Sequence, residues 1–122
     1  MLTRQQIDAA RDIPEEIVPC PEWGGDARIV GFSGAARDAW ESDLLAAGAG
    51  HDGETVVKSR MENIRASLVA RCLVDADGNR LYSDAEIAAL GRKSAVVLDR
   101  LYEVASRLNK LRKSDIEELE KN

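Results

Sequence analysis

The residues best placed by type and spacing to do chemistry lie in one stretch, Asp75-Ala76-Asp77-Gly78-Asn79-Arg80-Leu81-Tyr82-Ser83-Asp84-Ala85-Glu86. Read as a calcium loop, it sets Asp75, Asp77, Asn79 and Ser83 at the first, third, fifth and ninth positions. Glu86 falls at the twelfth, where a bidentate carboxylate belongs, and Leu81 offers its carbonyl at the seventh. Arg80 departs from the pattern at the sixth position, where the backbone turns sharply and glycine is the rule. No second loop of this kind is present to form a pair. The same residues also read as an Asp77-Gly78 turn between short extended arms, Leu73-Val74 and Arg80-Leu81-Tyr82. Ser83-Asp84-Ala85-Glu86 is then a capping box that commits Glu86 to the Ser83 backbone. The turn-plus-cap reading is preferred, with no metal site; a small calcium-binding module is the alternative function.

Other reactive side chains offer less. His51, the single histidine, sits among Gly48, Gly50 and Gly53 with only Asp52 and Glu54 beside it, and reads as a solvated loop residue. Cys20 and Cys72 are far apart in apolar settings with no metal-ligand spacing, and read as buried reduced thiols. There is no nucleophile-base pair and no phosphate-cradling glycine loop. A non-catalytic protein without a cofactor is expected.

The elements around these residues follow from periodicity and caps. Thr3-Arg4-Gln5-Gln6 is a capping box opening a short helix to about Arg11, which Pro14 stops. A hairpin is expected over residues 16–32, with Ile17-Val18 and Arg28-Ile29-Val30 flanking the Gly24-Gly25 turn. Pro19 and Pro21 lack the N–H of a ladder donor, so the first strand belongs at an edge. Trp23 reads as a core plug in a chain poor in aromatics, or else as an exposed anchor. A helix over 35–47 carries Ala36, Trp40, Leu44 and Ala47 on one face. A helix over 55–73 buries Val57, Met61, Ile64, Leu68 and Cys72 and turns its charges to solvent.

A short helix over 84–90 ends at Gly91. The longest helix, over 94–111, has a heptad seam of Val97, Leu101, Val104, Leu108 and Leu111. Ser114-Asp115-Ile116-Glu117 opens a short acidic helix too poor in apolar residues to be stable alone. The expected fold is mainly α with a small β-hairpin (α+β): one compact domain over 1–113 with about five helices, then a frayed acidic tail over 114–122.

The bounds agree with that picture. With 122 residues the chain suits one domain with a modest core. A net charge of −5 argues against nucleic acid and anionic membranes as main partners. No apolar run approaches the length needed to span a membrane, and a soluble cytoplasmic protein is expected.

The order of these motifs resembles the tail assembly chaperones of long-tailed bacteriophages and prophages. The matching pieces are LTRQQI, IVPCPEWGGDARIVGFSGAARDAWE, NIRASLVARCLVDADGNRLYSDAEIAALGRKSAVVLDRLYEVASRLNKL and the closing EELEKN. Together they cover nearly the whole chain; the PEWGG hairpin, the DxDGxRLYSD turn and the long leucine helix carry the specificity. The resemblance implies a non-catalytic protein that keeps the helical tape measure protein soluble and delivers tail tube (major tail protein) subunits to it. It further implies a place in the host bacterial cytoplasm, absence from the mature virion, and a longer frameshift product.

The partner-binding residues expected on apolar grounds are Leu101, Val104, Leu108, Leu111, Ile116 and Leu119. Self-association is expected through Leu108 and Leu111, with the basic Arg107, Lys110, Arg112 and Lys113 near the acidic Asp115–Glu120 of another copy; the same charges would equally permit the tail to fold back on its own helix.

Overall fold

Thr3 opens the first helix as its sequence requires. Its Oγ1 accepts the Gln6 N–H at 3.2 Å, and the Gln6 side chain accepts the Thr3 N–H at 2.9 Å. This computed structural model describes residues 1–47 and 64–111. Along it run α1 (Arg4–Ala9), β1 (Glu15–Cys20), a 3-10 turn (Pro21–Trp23), β2 (Gly25–Val30) and α2 (Gly34–Ala47). Helix α3 (64–72), β3 (Leu73–Val74), a second 3-10 turn (Asp84–Glu86), α4 (Ile87–Leu90) and α5 (Ala95–Leu108) follow. The His51 loop, the first part of the expected 55–73 helix and the Ser114 capping box with its acidic tail lie outside the described residues.

The result is an α+β fold with a small antiparallel sheet, ordered β1-β2-β3. The hairpin pairs Glu15 with Val30 and Cys20 with Gly25, and β1 is the edge strand that Pro19 demands. The sheet is one strand wider than the hairpin, because Leu73 and Val74 leave α3 and pair with Ile29 and Arg28. The alternation of β1 and β2 turns Val18, Cys20, Ala27 and Ile29 toward the helices. There they meet Trp40 and Leu44 of α2, Leu68, Val69 and Cys72 of α3, Leu90 of α4, and Val97, Leu101 and Val104 of α5 in one core.

One polar pair lies inside the core. The Trp40 indole donates to Ser67 Oγ at 3.1 Å, and Phe32 packs on Trp40 with ring centroids 5.7 Å apart. Ion pairs fasten the elements from outside. Arg100 grips Glu22 at 2.7 Å and Arg107 grips Glu16 at 3.0 Å, joining α5 to the hairpin. Arg71 reaches Asp43 of α2 and Asp84 of the second 3-10 turn.

Helix α5 ends three residues before the expected Leu111. The Leu111 N–H donates to the Ser106 carbonyl at 2.9 Å and the Lys110 N–H to the Arg107 carbonyl at 3.1 Å, with Lys110 left-handed at φ 52. This is a Schellman stop with lysine at the position glycine usually takes. Its hold comes from Asn109. The Asn109 side chain accepts the Phe32 N–H at 2.7 Å and donates to the Ala105 carbonyl at 2.9 Å. Gly31 sits next to this junction because a Cβ there would lie 3.2 Å from the Pro14 ring and 3.4 Å from Asn109 Oδ1.

Candidate partner-binding surfaces

The α5 seam changes character along its length. Leu101 and Val104 are sealed in the core, at 0% and 4% exposure. Leu108 and Leu111 are half-buried and pack against the same core from its margin. Ile116 and Leu119 lie outside the described residues. Of the six apolar residues expected to bind a partner, Leu101 and Val104 therefore act first as structural supports. Leu108 and Leu111 are the ones whose surfaces remain partly open.

The acidic stretch folds as a hairpin turn followed by a helix start. The Gly78 N–H donates to the Asp75 carbonyl at 3.1 Å and the Asp75 N–H to the Asn79 carbonyl at 2.8 Å, closing a tight turn. The left-handed residue of that turn is Gly78 at φ 88, two positions ahead of the point where a calcium loop turns. Arg80 at that later point is a bridge residue opposite Val74, its guanidinium on the Ala70 carbonyl and on Asp84. Asp75 Oδ1 accepts the N–H groups of Asp77 and Asn79, at 2.9 and 3.0 Å.

Ser83 and Glu86 form the capping box. The Ser83 N–H donates to Glu86 Oε1 at 2.9 Å, and these bonds hold the Glu86 carboxyl below its ordinary pKa. Among the described residues, no group of three His, Cys, Asp or Glu side chains converges to hold a metal ion. Arg28 completes the turn by donating to the Asp75 and Ala76 carbonyls while paired with Glu15.

A second surface joins residues that the sequence leaves apart. Cys20, Trp23, Ala27, Leu73, Leu81 and Tyr82 line an open cleft of about 480 Å³ beside the hairpin turn, with Glu22, Asp26 and Lys93 among its polar residues. Trp23 divides the two readings of its role, since it packs partly on the core and partly lines this cleft. Leu81 is 52% exposed. The one sequence signal here is Trp23 beside a turn. What brings residues 81, 82 and 93 to it is the pairing of β3 with β2 and the Arg100–Glu22 pair, which holds Glu22 to about 2.

The two cysteines are buried. Burial pushes the Cys72 thiol up to about 12, against a weaker opposing effect of the Asn109 amide. No described helix is long and apolar enough to cross a membrane.

The described residues form a small α+β fold in which many polar side chains serve caps, turns and ion pairs. The chain belongs to the phage tail assembly chaperone family, whose model matches residues 3–122. Its fold is similar to that of the bacteriophage HK97 tail assembly chaperone, with a TM-score of 0.55 and 20% identity, over 85% of this chain and 94% of that one. No curated protein matches the sequence.

Proposed function

We propose that this chain is a non-catalytic chaperone that holds amphipathic helical segments of a tape measure protein in solution and brings major tail protein subunits to them. It acts in the host bacterial cytoplasm as one globular unit over 1–113 and does not remain in the mature virion. Membership of the tail assembly chaperone family supports the class. The observation that carries the mechanism is the way the α5 seam emerges from the core. It is sealed at Leu101 and Val104 and half-open at Leu108 and Leu111. A partner helix laid against the end of α5 would cover the open flanks of both leucines.

Co-expression with a tape measure fragment tests this reading. The wild-type chain is expected to raise the soluble yield of the fragment. Replacing Leu111, Ile116 and Leu119 together by Asp should abolish that rescue. The control Ile17→Asp, on the exposed face of β1, should leave it intact. Rescue that survives the triple change would remove this surface from the mechanism.

A further inference from the structure

The end of α5 is held against its own sequence pattern. After Leu108 and Asn109 come Lys110 and Leu111, and neither lysine nor leucine resists a helix. The three-residue step from Leu108 to Leu111 keeps the seam of Val97, Leu101, Val104 and Leu108 in register past the stop. The chain nevertheless turns at Lys110, whose φ of 52 is a left-handed conformation that a side chain resists. The turn sends Leu111 back to lie half-buried at the margin of the core.

Three contacts from outside α5 meet at Asn109. Its Oδ1 accepts the Phe32 N–H at 2.7 Å, and its carbonyl accepts from the Arg37 guanidinium of α2 at 3.5 Å. Its Nδ2 lies 3.6 Å from Cys72 Sγ of α3. One side chain thus ties the end of α5 to the hairpin and two helices.

Two arrangements of residues 109–111 compete. In the observed one, the Leu111 N–H donates to the Ser106 carbonyl at 2.9 Å and the Lys110 N–H to the Arg107 carbonyl at 3.1 Å. In a continuous helix each N–H moves to the carbonyl four residues back, so Lys110 takes Ser106 and Leu111 takes Arg107. The number of backbone bonds is unchanged, and Lys110 becomes right-handed. The turn keeps the Asn109 bonds and the packing of Leu111; the helix removes the left-handed lysine. These opposing effects are of the same order. A ligand that prefers the helix has only their difference to overcome.

We propose that the end of α5 is a two-state latch. In the free chain Asn109 holds it closed on Phe32, and a helical partner seated on Leu108 and Leu111 draws residues 109–111 into α5. The partner named here rests on the tape measure reading; the two arrangements do not.

Calorimetric titration of the full chain with the tape measure fragment tests the latch, together with nuclear magnetic resonance of Phe32 and Lys110. Lys110→Gly favours the turn and Asn109→Ala the helix. Lys110→Gly should bind the fragment about tenfold more weakly than wild type, although its fold is the more stable. Asn109→Ala should bind more tightly, and its Lys110 Cα shift should be helical before any partner is added. In the wild-type complex the Phe32 amide should lose its protection from exchange. Equal affinity for wild type and Lys110→Gly overturns the latch, as does a Phe32 amide that stays protected in the complex. A fragment that fails to bind wild type removes the tape measure reading, and the free Asn109→Ala chain then decides alone: a Lys110 that stays left-handed there overturns the latch. Should Asn109→Ala disturb the fold, the free Lys110→Gly chain replaces it. Its Phe32 amide should be better protected than in wild type, and unchanged protection overturns the latch.

Discussion

Two helix starts in this chain use the same device and lead to opposite ends. At Thr3–Gln6 and at Ser83–Glu86, the side chain three residues on accepts the cap N–H at 2.9 Å in each case. Beyond the first, α1 has no buried residue. Beyond the second, α4 places Leu90 in the core at 0% exposure, and Arg71 and Arg80 hold Asp84 at its entrance. The capping box settles where a helix begins. Whether the molecule has a place for that helix is decided by residues far away in sequence.

The sharpest way to break this comparison is to truncate the apolar side chain behind each cap. Leu90→Ala should cost ~2–5 kcal/mol in urea unfolding, because the wall around it cannot close fully. Ile7→Ala should stay within about 0.5 kcal/mol of wild type. Equal losses would mean that α1 is packed after all. The caps themselves give a smaller version of the contrast. Ser83→Ala should lower stability by about 1 kcal/mol, while Thr3→Ala should leave the global midpoint in place and only loosen α1, as amide exchange over residues 4–9 would report.

The end of α5 sharpens the comparison from the other side, since there the local residue type resists the structure. Lys110→Gly should raise stability by about 1 kcal/mol by relieving the left-handed lysine. A loss would show that the Lys110 side chain has an unrecognised contact. The smallest effect concerns acid. The Arg100 guanidinium holds Glu22 at about 2, below the unfolded carboxylate range, so the pair contributes stability above about pH 4. That contribution falls away as pH drops toward 2. Glu22→Gln should flatten this part of the acid-unfolding curve and leave the neutral region little changed.

Much of the architecture was legible because its signals are local. The Thr3 box, the edge placement forced by Pro19, the α2 stripe through Trp40 and Leu44, and the Gly78 turn all depend on neighbours within a few residues. The expected hairpin at 16–32 and helix at 35–47 match β1–β2 and α2 within two residues. What escaped depends on distant partners. Leu73-Val74 reads as an extended arm, but only its pairing with Arg28 and Ile29 makes it the third strand of the sheet.

The heptad predicted α5 to Leu111, outweighing the one local stop signal, Asn109 after Arg107 in the last turn. The helix ends because Asn109 bonds to the Phe32 backbone, 77 residues away. The cleft was hidden for the same reason, since its walls come from the hairpin, β3, the Leu81-Tyr82 segment and Lys93. Two of the six expected partner residues, Leu101 and Val104, lie in the core because a heptad stripe records apolarity, and apolarity alone does not distinguish a face turned inward from one turned outward.

The position of Cys72 turns the core into its own reporter. The thiol is 0% exposed between α3 and α5, and with its proton held up to about 12 almost none is thiolate at neutral pH. Alkylating reagents therefore meet a reactive sulfur at this site only when the helices part. The slow covalent labelling of a native sample then counts openings of the α2–α3–α5 packing one molecule at a time. Labelling with and without a bound partner would measure how far that packing must breathe for the chaperone to work.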